Sequence, residues 1–343
     1  MDGSLDMTAV RTPVRNGDDD SRWAALGRRA ALARRLRTSG IFLVLVLFVV
    51  IGSILSPHFL TTSNILNVAR QMSIVGIVGV GMTFVILTAG IDLSVGSIVG
   101  VSAITGAALL SGGVPWPLAC LLAMVAGAFV GALNGLGITN RGVQPFIMTL
   151  AMLVIARGVT MTYANGQPIP LGDAGPAVAW IGSGELLGVP VPVWMLGLVF
   201  AIASFVLHST PYGRKVYAVG GNLEAARRSG INTRRIVFSV YVISGLCAAV
   251  SSLIVISRLS SGTPSMGTGL ELDAIAVVVI GGTSLFGGVG GVGGTMVGAG
   301  IVSVLENLLN LLGVSPFTQQ IAKGLIILGA VLLEGRTRKT EGI

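Results

Sequence analysis

Apolar runs of about 20 residues, the length a helix needs to cross a hydrocarbon core, recur along this chain between short polar stretches. Backbone in lipid must be hydrogen-bonded within its own helix, so continuous runs of this length read as spans. Ten are predicted, at 41–60, 68–90, 93–112, 116–137, 144–163, 190–208, 236–257, 271–286, 289–312 and 318–334. The expected fold class is an all-α polytopic membrane protein of about ten transmembrane helices, both termini cytoplasmic, with one short cytosolic helix. The eighth segment is short, and a different count over 271–312 would give eight or nine spans.

Composition supports the pattern. Hydrophobic residues make up 52% and charged residues 10%, with a mean hydropathy of +0.87; a soluble domain carries about 25% charged residues, so a soluble globular domain is excluded. The net charge of +8 raises nucleic-acid binding, but the basic residues flank apolar runs rather than forming a stripe. Eight arginines precede residue 38, six basic residues lie between Arg214 and Arg235, and Arg336, Arg338 and Lys339 follow the last run. With Arg141 these make 18 of 22, all on one side when ten spans start from a cytoplasmic leader. An odd count would expel the basic tail.

The expected organisation is a basic cytoplasmic tail over 1–40, its first part disordered around Asp18-Asp19-Asp20, a transmembrane domain over 41–335 with a cytosolic loop at 209–235, and a tail over 336–343. The run after Ile41 lacks a persuasive cleavage signal, so a retained first span is expected rather than a signal peptide. Cys120 and Cys247 sit in separate apolar stretches, and His58 and His208 at span ends; neither pair forms a disulfide framework or metal pattern.

Glycines at i and i+4 (Gly96/Gly100, Gly127/Gly131, Gly131/Gly135, Gly294/Gly298) strip side chains from one helix face and let backbones approach. They predict tight bundle packing, or contacts that slide during transport. The stretch 281–294 is too glycine-rich for a continuous helix and predicts a turn between two spans or a partly unwound segment. It lacks the lysine of a phosphate-binding loop, and no ATP site is visible in the chain.

Within the loop, 222–230 reads as a short capped helix. Asn222 is placed to accept from the first free amides, Glu224 faces the positive end, Arg227 and Arg228 the negative end, and Gly230 supplies the left-handed stop. About two turns are marginal alone in water, so this helix is expected to rest on the chain's own cytosolic ends or on a partner.

Asp92 interrupts a long apolar stretch, either as the cap of the third helix at the cytoplasmic turn or as a buried group paired inside the bundle. Other polar residues are candidates for a translocation path: Asn64, Asn67, Gln71, Asn134, Gln144, Thr149, Arg157, Glu306, Asn307, Asn310, Gln319 and Lys323. Amides suit an uncharged polyhydroxylated solute, while interhelical hydrogen bonds explain them equally well. Glu306 and Lys323 form one possible pair, because an unpaired charge in a span is costly.

Three blocks carry a family resemblance: Thr88-Ala-Gly-Ile-Asp-Leu-Ser-Val-Gly-Ser97, with Gly90, Asp92, Ser94 and Gly96; Pro145-Phe-Ile-Met-Thr-Leu150 with Ile155-Ala-Arg-Gly158; and Tyr217 to Ile231. Gly281 to Gly288 and Gln320 to Ile326 continue it, so that it covers about 41–335. The sequence resembles the ribose/xylose/arabinose/galactose-type permeases of bacterial ABC importers. That resemblance implies an inner-membrane subunit, surrounded by lipid, that pairs with a second copy or paralogue, two cytosolic ATP-binding subunits and a periplasmic sugar-binding protein. It implies import of a monosaccharide or similar polyol, with ATP and Mg used by the partner subunits, no cofactor on this chain and no catalysis by it. Gly221, Asn222, Glu224, Ala225, Ala226 and Gly230 match the family's coupling helix, which would insert into a groove on the ATPase. A secondary active transporter is the alternative, kept alive by Glu306 and the glycine-rich break. A passive channel would need a pore constriction, and an intramembrane enzyme a catalytic constellation; neither stands out.

Overall fold

The computed structural model describes residues 40–325 and 328–329. The expected tails over 1–40 and 336–343, and the end of the tenth segment, lie outside the described residues, save for Gly40. The fold is that of the compact unit Ile41–Ile343.

Its helices are α1 (Gly40–Leu55), α2 (Thr62–Leu87), α3 (Val95–Ser111), α4 (Trp116–Arg141), α5 (Pro145–Tyr163), α6 (Gly175–Ser183), α7 (Val191–Ser209), α8 (Pro211–Gly221), α9 (Leu223–Arg228), α10 (Thr233–Leu259), α11 (Leu270–Ile280), α12 (Val292–Leu311) and α13 (316–325). Six of them (α2, α4, α5, α7, α10 and α12) are long and apolar enough to cross a membrane, and α1 and α3 are shorter apolar helices. Two short ribbons complete the fold: β1 (Ile169–Pro170) pairs antiparallel with β4 (Ser261–Gly262), and β2 (Glu185–Leu186) with β3 (Val189–Pro190).

Local chemistry sets several boundaries away from the hydropathy reading. Thr61 accepts from the Asn64 amide, so α2 starts six residues before the apolar run, and Asn232 caps α10 in the same way. The segment predicted as a span over 271–286 is helical only to Ile280. Gly281 and Gly282 end it, the latter at φ +85°, and residues to Gly291 form turns. At ~1.5 Å per residue, the 11 residues of α11 extend ~16 Å, about half of a hydrocarbon core. The helices α6 and α8 and the two ribbons carry no long apolar run and were not anticipated.

Helices α2, α10 and α12 are buried along most of their length, whereas α4, α5 and α7 carry exposed apolar faces. Among apolar helices in lipid, association rests on close packing and interhelical hydrogen bonds. Each paired-glycine face meets another backbone. At the α4–α10 crossing a methyl on Gly131 would overlap the Tyr241 carbonyl oxygen, and one on Gly127 would press on Ala249 and the Gly245 carbonyl. Gly298 abuts the Val277 carbonyl of α11, and Gly294 the carbonyl of Gly281 just beyond it. Serine hydroxyls tie the helices further: Ser252 donates to the Val99 carbonyl at 2.9 Å, and Ser97 to the Leu153 carbonyl at 2.7 Å.

Two non-helical segments matter most for function. Residues 88–94 lead from the end of α2 into the bundle, and 260–269 lead from the β1–β4 ribbon to α11. The second packs on the start of α3, into which the first leads, where Gly96 faces Gly267, each placed so that a methyl would overlap the other's carbonyl oxygen.

Candidate functional site

Three polar centres emerge from this fold. The first surrounds Asp92, which is wholly buried. Its carboxylate accepts from the Ser94 amide at 3.0 Å and the Ser94 hydroxyl at 2.6 Å through one oxygen, and from the Ser244 hydroxyl at 2.9 Å through the other. Asn134 of α4 donates to the Ser94 hydroxyl at 2.7 Å. Ser244 lies 11 residues into α10, ~16 Å along its axis. Of the two alternatives for Asp92, the structure takes the buried, paired one. The N-cap residue of α3 is Ser94, and Asp92 holds that residue's amide and hydroxyl inside the bundle. Gly90 lets Tyr241 approach, since a methyl there would sit 2.5 Å from the phenolic oxygen, and Thr149 of α5 donates to the Ile91 carbonyl at 3.1 Å. The segment's polar atoms thus bind it to α4, α5 and α10.

The second centre joins α2, α11, α12 and α13. Lys323 bridges two carboxylates, contacting Glu306 and lying 2.9 Å from Asp273, while Gln71 donates to the other oxygen of Glu306. The expected Glu306–Lys323 pair is present, and Asp273 is the member that sequence reasoning missed. Its signal was available as an acidic residue inside an apolar run. Alongside, Asn64 and Asn307 exchange two amide hydrogen bonds of 2.8 and 2.7 Å, and Gln319 donates to Asn310 at 2.8 Å. Asn67 is exposed and accepts from Arg70 at 3.3 Å, and Arg70 pairs with Glu185 at 2.8 Å. Gln144 is an exposed N-cap residue of α5 that joins none of these clusters. Arg157 stands apart as well. It donates from one nitrogen to the Pro264 and Met266 carbonyls at 2.6 and 2.9 Å, holding 260–269 against α5.

The third centre is the loop 209–235. Thr210 caps α8 and Asn222 caps α9, accepting from the Ala225 amide at 2.9 Å. Glu224 pairs with Arg228 at 3.2 Å across one turn, and Gly230 takes the left-handed conformation at φ +81° that ends the helix. Ala226 is buried, whereas Gly221, Asn222, Glu224, Ala225, Arg227, Arg228 and Gly230 are exposed. The helix therefore seats one face on the chain and presents the other outward. Burial pushes the Tyr212 phenol above its ordinary value, partly offset by its 2.6 Å hydrogen bond with Ser239, which fastens α8 to α10.

Beneath that helix, three backbones converge. The Gly288 amide donates to the Leu87 carbonyl at 3.0 Å, and a methyl on Gly220 would overlap both groups. Gly287 likewise abuts Ala89 and the Gly220 carbonyl. The end of α2, the end of α8 and the glycine-rich turn before α12 are thus stacked without intervening side chains. Cys120 and Cys247 are free and buried, and among the described residues no group of three His, Cys, Asp or Glu is placed to hold a metal.

Comparison with known proteins places these centres in context. The family described as branched-chain amino acid transport system / permease component matches residues 64–333. The chain is 46% identical over 312 residues to the ribose import permease protein RbsC of Escherichia coli (strain K12), covering 90% of this chain and 97% of the relative. It is 48% identical over 295 residues to the ribose import permease protein RbsC of Bacillus subtilis (strain 168), covering 86% and 92%. It is 38% identical over 344 residues to the xylose transport system permease protein XylH of Escherichia coli (strain K12), covering 82% and 87%. No solved structure matches the chain.

Proposed function

This chain belongs to the branched-chain amino acid transport system / permease component family, and we propose that it is the membrane subunit of an ATP-driven importer that carries a monosaccharide. The observation that carries this reading is the near full-length similarity to ribose and xylose permeases, joined to a bundle rich in apolar helices. The neutral amide and hydroxyl chemistry of Asn64, Asn307, Asn310 and Gln319 is compatible with a polyhydroxylated solute. The ten-span topology with cytoplasmic termini follows from the charge distribution along the sequence. It leaves the protein in the bacterial inner membrane as a multi-pass subunit.

In this reading α9 is the coupling helix. Its capped, outward face of Asn222, Glu224, Ala225, Arg227 and Arg228 meets one of two ATP-binding subunits, and a periplasmic binding protein delivers the sugar to a pair of membrane subunits. ATP and Mg act on the ATPases, so this chain hydrolyses nothing. Closure of the ATPases would move α9 and α8, and the backbone stack of Gly220, Leu87 and Gly288 would carry that movement into α2 and α12.

The test is uptake of labelled pentoses and hexoses by cells that express the chain with its binding protein and ATPase, beside the same cells carrying Glu224→Arg. This substitution reverses the charge at the positive end of α9 and replaces its internal ion pair with repulsion. Sugar uptake that requires ATP and the intact helix supports the proposal. Uptake that persists without the ATPase would favour a secondary carrier instead.

A further inference from the structure

Beyond β4, residues 263–269 are irregular backbone that runs alongside α3. Gly262 lies against the Ala103 carbonyl, halfway along that helix, and Gly267 against Gly96 at its start. From Gly96 the remainder of α3 extends ~22 Å toward the ribbon end, and α11 extends ~16 Å the opposite way. The elbow between the segment and α11 therefore sits near the middle of the span. Irregular backbone at that depth is tolerated where it is buried in protein or lines a water-filled cavity, not where it meets lipid.

One edge of this elbow is open. Pro264 and Met266 are buried, and their carbonyls are satisfied by Arg157, but Ser265 and Thr268 are exposed and Glu271 is half-exposed. Thr268 donates to the Ser265 carbonyl at 2.6 Å, and Glu271 accepts from the Gly269 amide at 3.3 Å. Arg157 and Glu271 attract one another, and with one Glu271 oxygen lying against Gly96 of α3 the open edge offers the hydroxyls of Ser265 and Thr268. That combination suits a neutral solute with many hydroxyl groups better than an ion.

We propose that the Ser265–Glu271 elbow lines the aqueous path between two membrane subunits and contacts the sugar through Ser265 and Thr268. The inference rests on the importer reading and adds to it a mid-membrane contact on the permease itself.

The assembled complex with Ser265→Cys or Thr268→Cys is treated from the periplasmic side with a charged, membrane-impermeant methanethiosulfonate, with Val154→Cys on the apolar outer face of α5 as control. The two native cysteines are buried and contribute little background. A thiol reacts as its thiolate, so cysteines at 265 and 268 should label on the order of tenfold faster than one at 154. Saturating ribose or xylose with the binding protein should slow that labelling severalfold. If a transporting complex labels at 265 and 268 no faster than at 154, the elbow faces lipid or protein and the proposal fails while the importer reading stands. Fast labelling that no transported sugar slows overturns the sugar contact. A complex that transports none of the sugars removes the importer reading, and the contact with it.

Discussion

Removing Lys323 should cost this protein more stability than removing the whole charged cluster to which it belongs. The ammonium lies 2.9 Å from Asp273 and closer still to Glu306, and at an effective dielectric near 20 each such contact is worth about 6 kcal/mol of gross attraction. Lys323→Ala loses both contacts and leaves two carboxylates facing one another in a largely buried site. The recovered hydration of the ammonium offsets several kcal/mol of that loss. The net cost expected for breaking a buried ion pair is about 3–5 kcal/mol, which corresponds to a fall of roughly 10 °C in apparent melting temperature. The neutral triple variant Asp273→Asn, Glu306→Gln, Lys323→Met leaves no uncompensated charge and should regain most of that loss. The assay is thermal unfolding of the purified protein in detergent, followed by tryptophan fluorescence. A Lys323→Ala protein as stable as the parent, or a triple variant no better than Lys323→Ala, would refute the reasoning.

Other expectations follow from contacts on both sides of the bundle. Gly220→Ala forces a methyl into the Leu87 carbonyl, an overpacking cost of about 1–3 kcal/mol, and should lower both melting temperature and uptake, whereas Gly221→Ala, whose methyl meets open space within the chain, should leave the melting temperature unchanged. Gly230→Ala places a side chain at φ +81° for about 1–2 kcal/mol, read as reduced melting temperature with a weakened response of ATPase activity to substrate. Asp92→Ala deprives two hydroxyls and an amide of their acceptor, roughly 1–3 kcal/mol for each group left unsatisfied. It should sharply reduce the folded yield in membranes, with Asp92→Asn milder because one carbonyl acceptor remains. Gly131→Val should separate α4 from α10 and lower the yield of folded protein on size-exclusion chromatography, while Gly197→Val, with nothing near its methyl position, should not.

Several features were legible from neighbours along the chain. Hydropathy located α2, α4, α5, α7, α10 and α12, because a helix that meets lipid or apolar neighbours on every side needs a continuous apolar run. The capping chemistry of Asn222, Glu224 and Gly230 is likewise local, since a helix end is closed by residues within one turn of it. Glycine spacing announced close helix contacts without naming the partners.

Tertiary structure decided the rest. Whether Asp92 lies at a surface or is held inside the bundle depends on Ser244, 152 residues away, and the cation between Glu306 and Asp273 comes from a third helix. A short apolar stretch such as 271–286 reads alike as a span or as a half-helix with a turn, because hydropathy reports the surroundings of side chains and not where the backbone stops being helical. The elbow at 260–269 was invisible for the same reason. Its place against α3 and α5 is fixed by Gly267 lying on Gly96 and by Arg157 holding two of its carbonyls, contacts between residues distant in sequence. The sequence determines that this chain lives in a membrane and where its helix ends close; packing between distant segments determines which polar groups stand together within it.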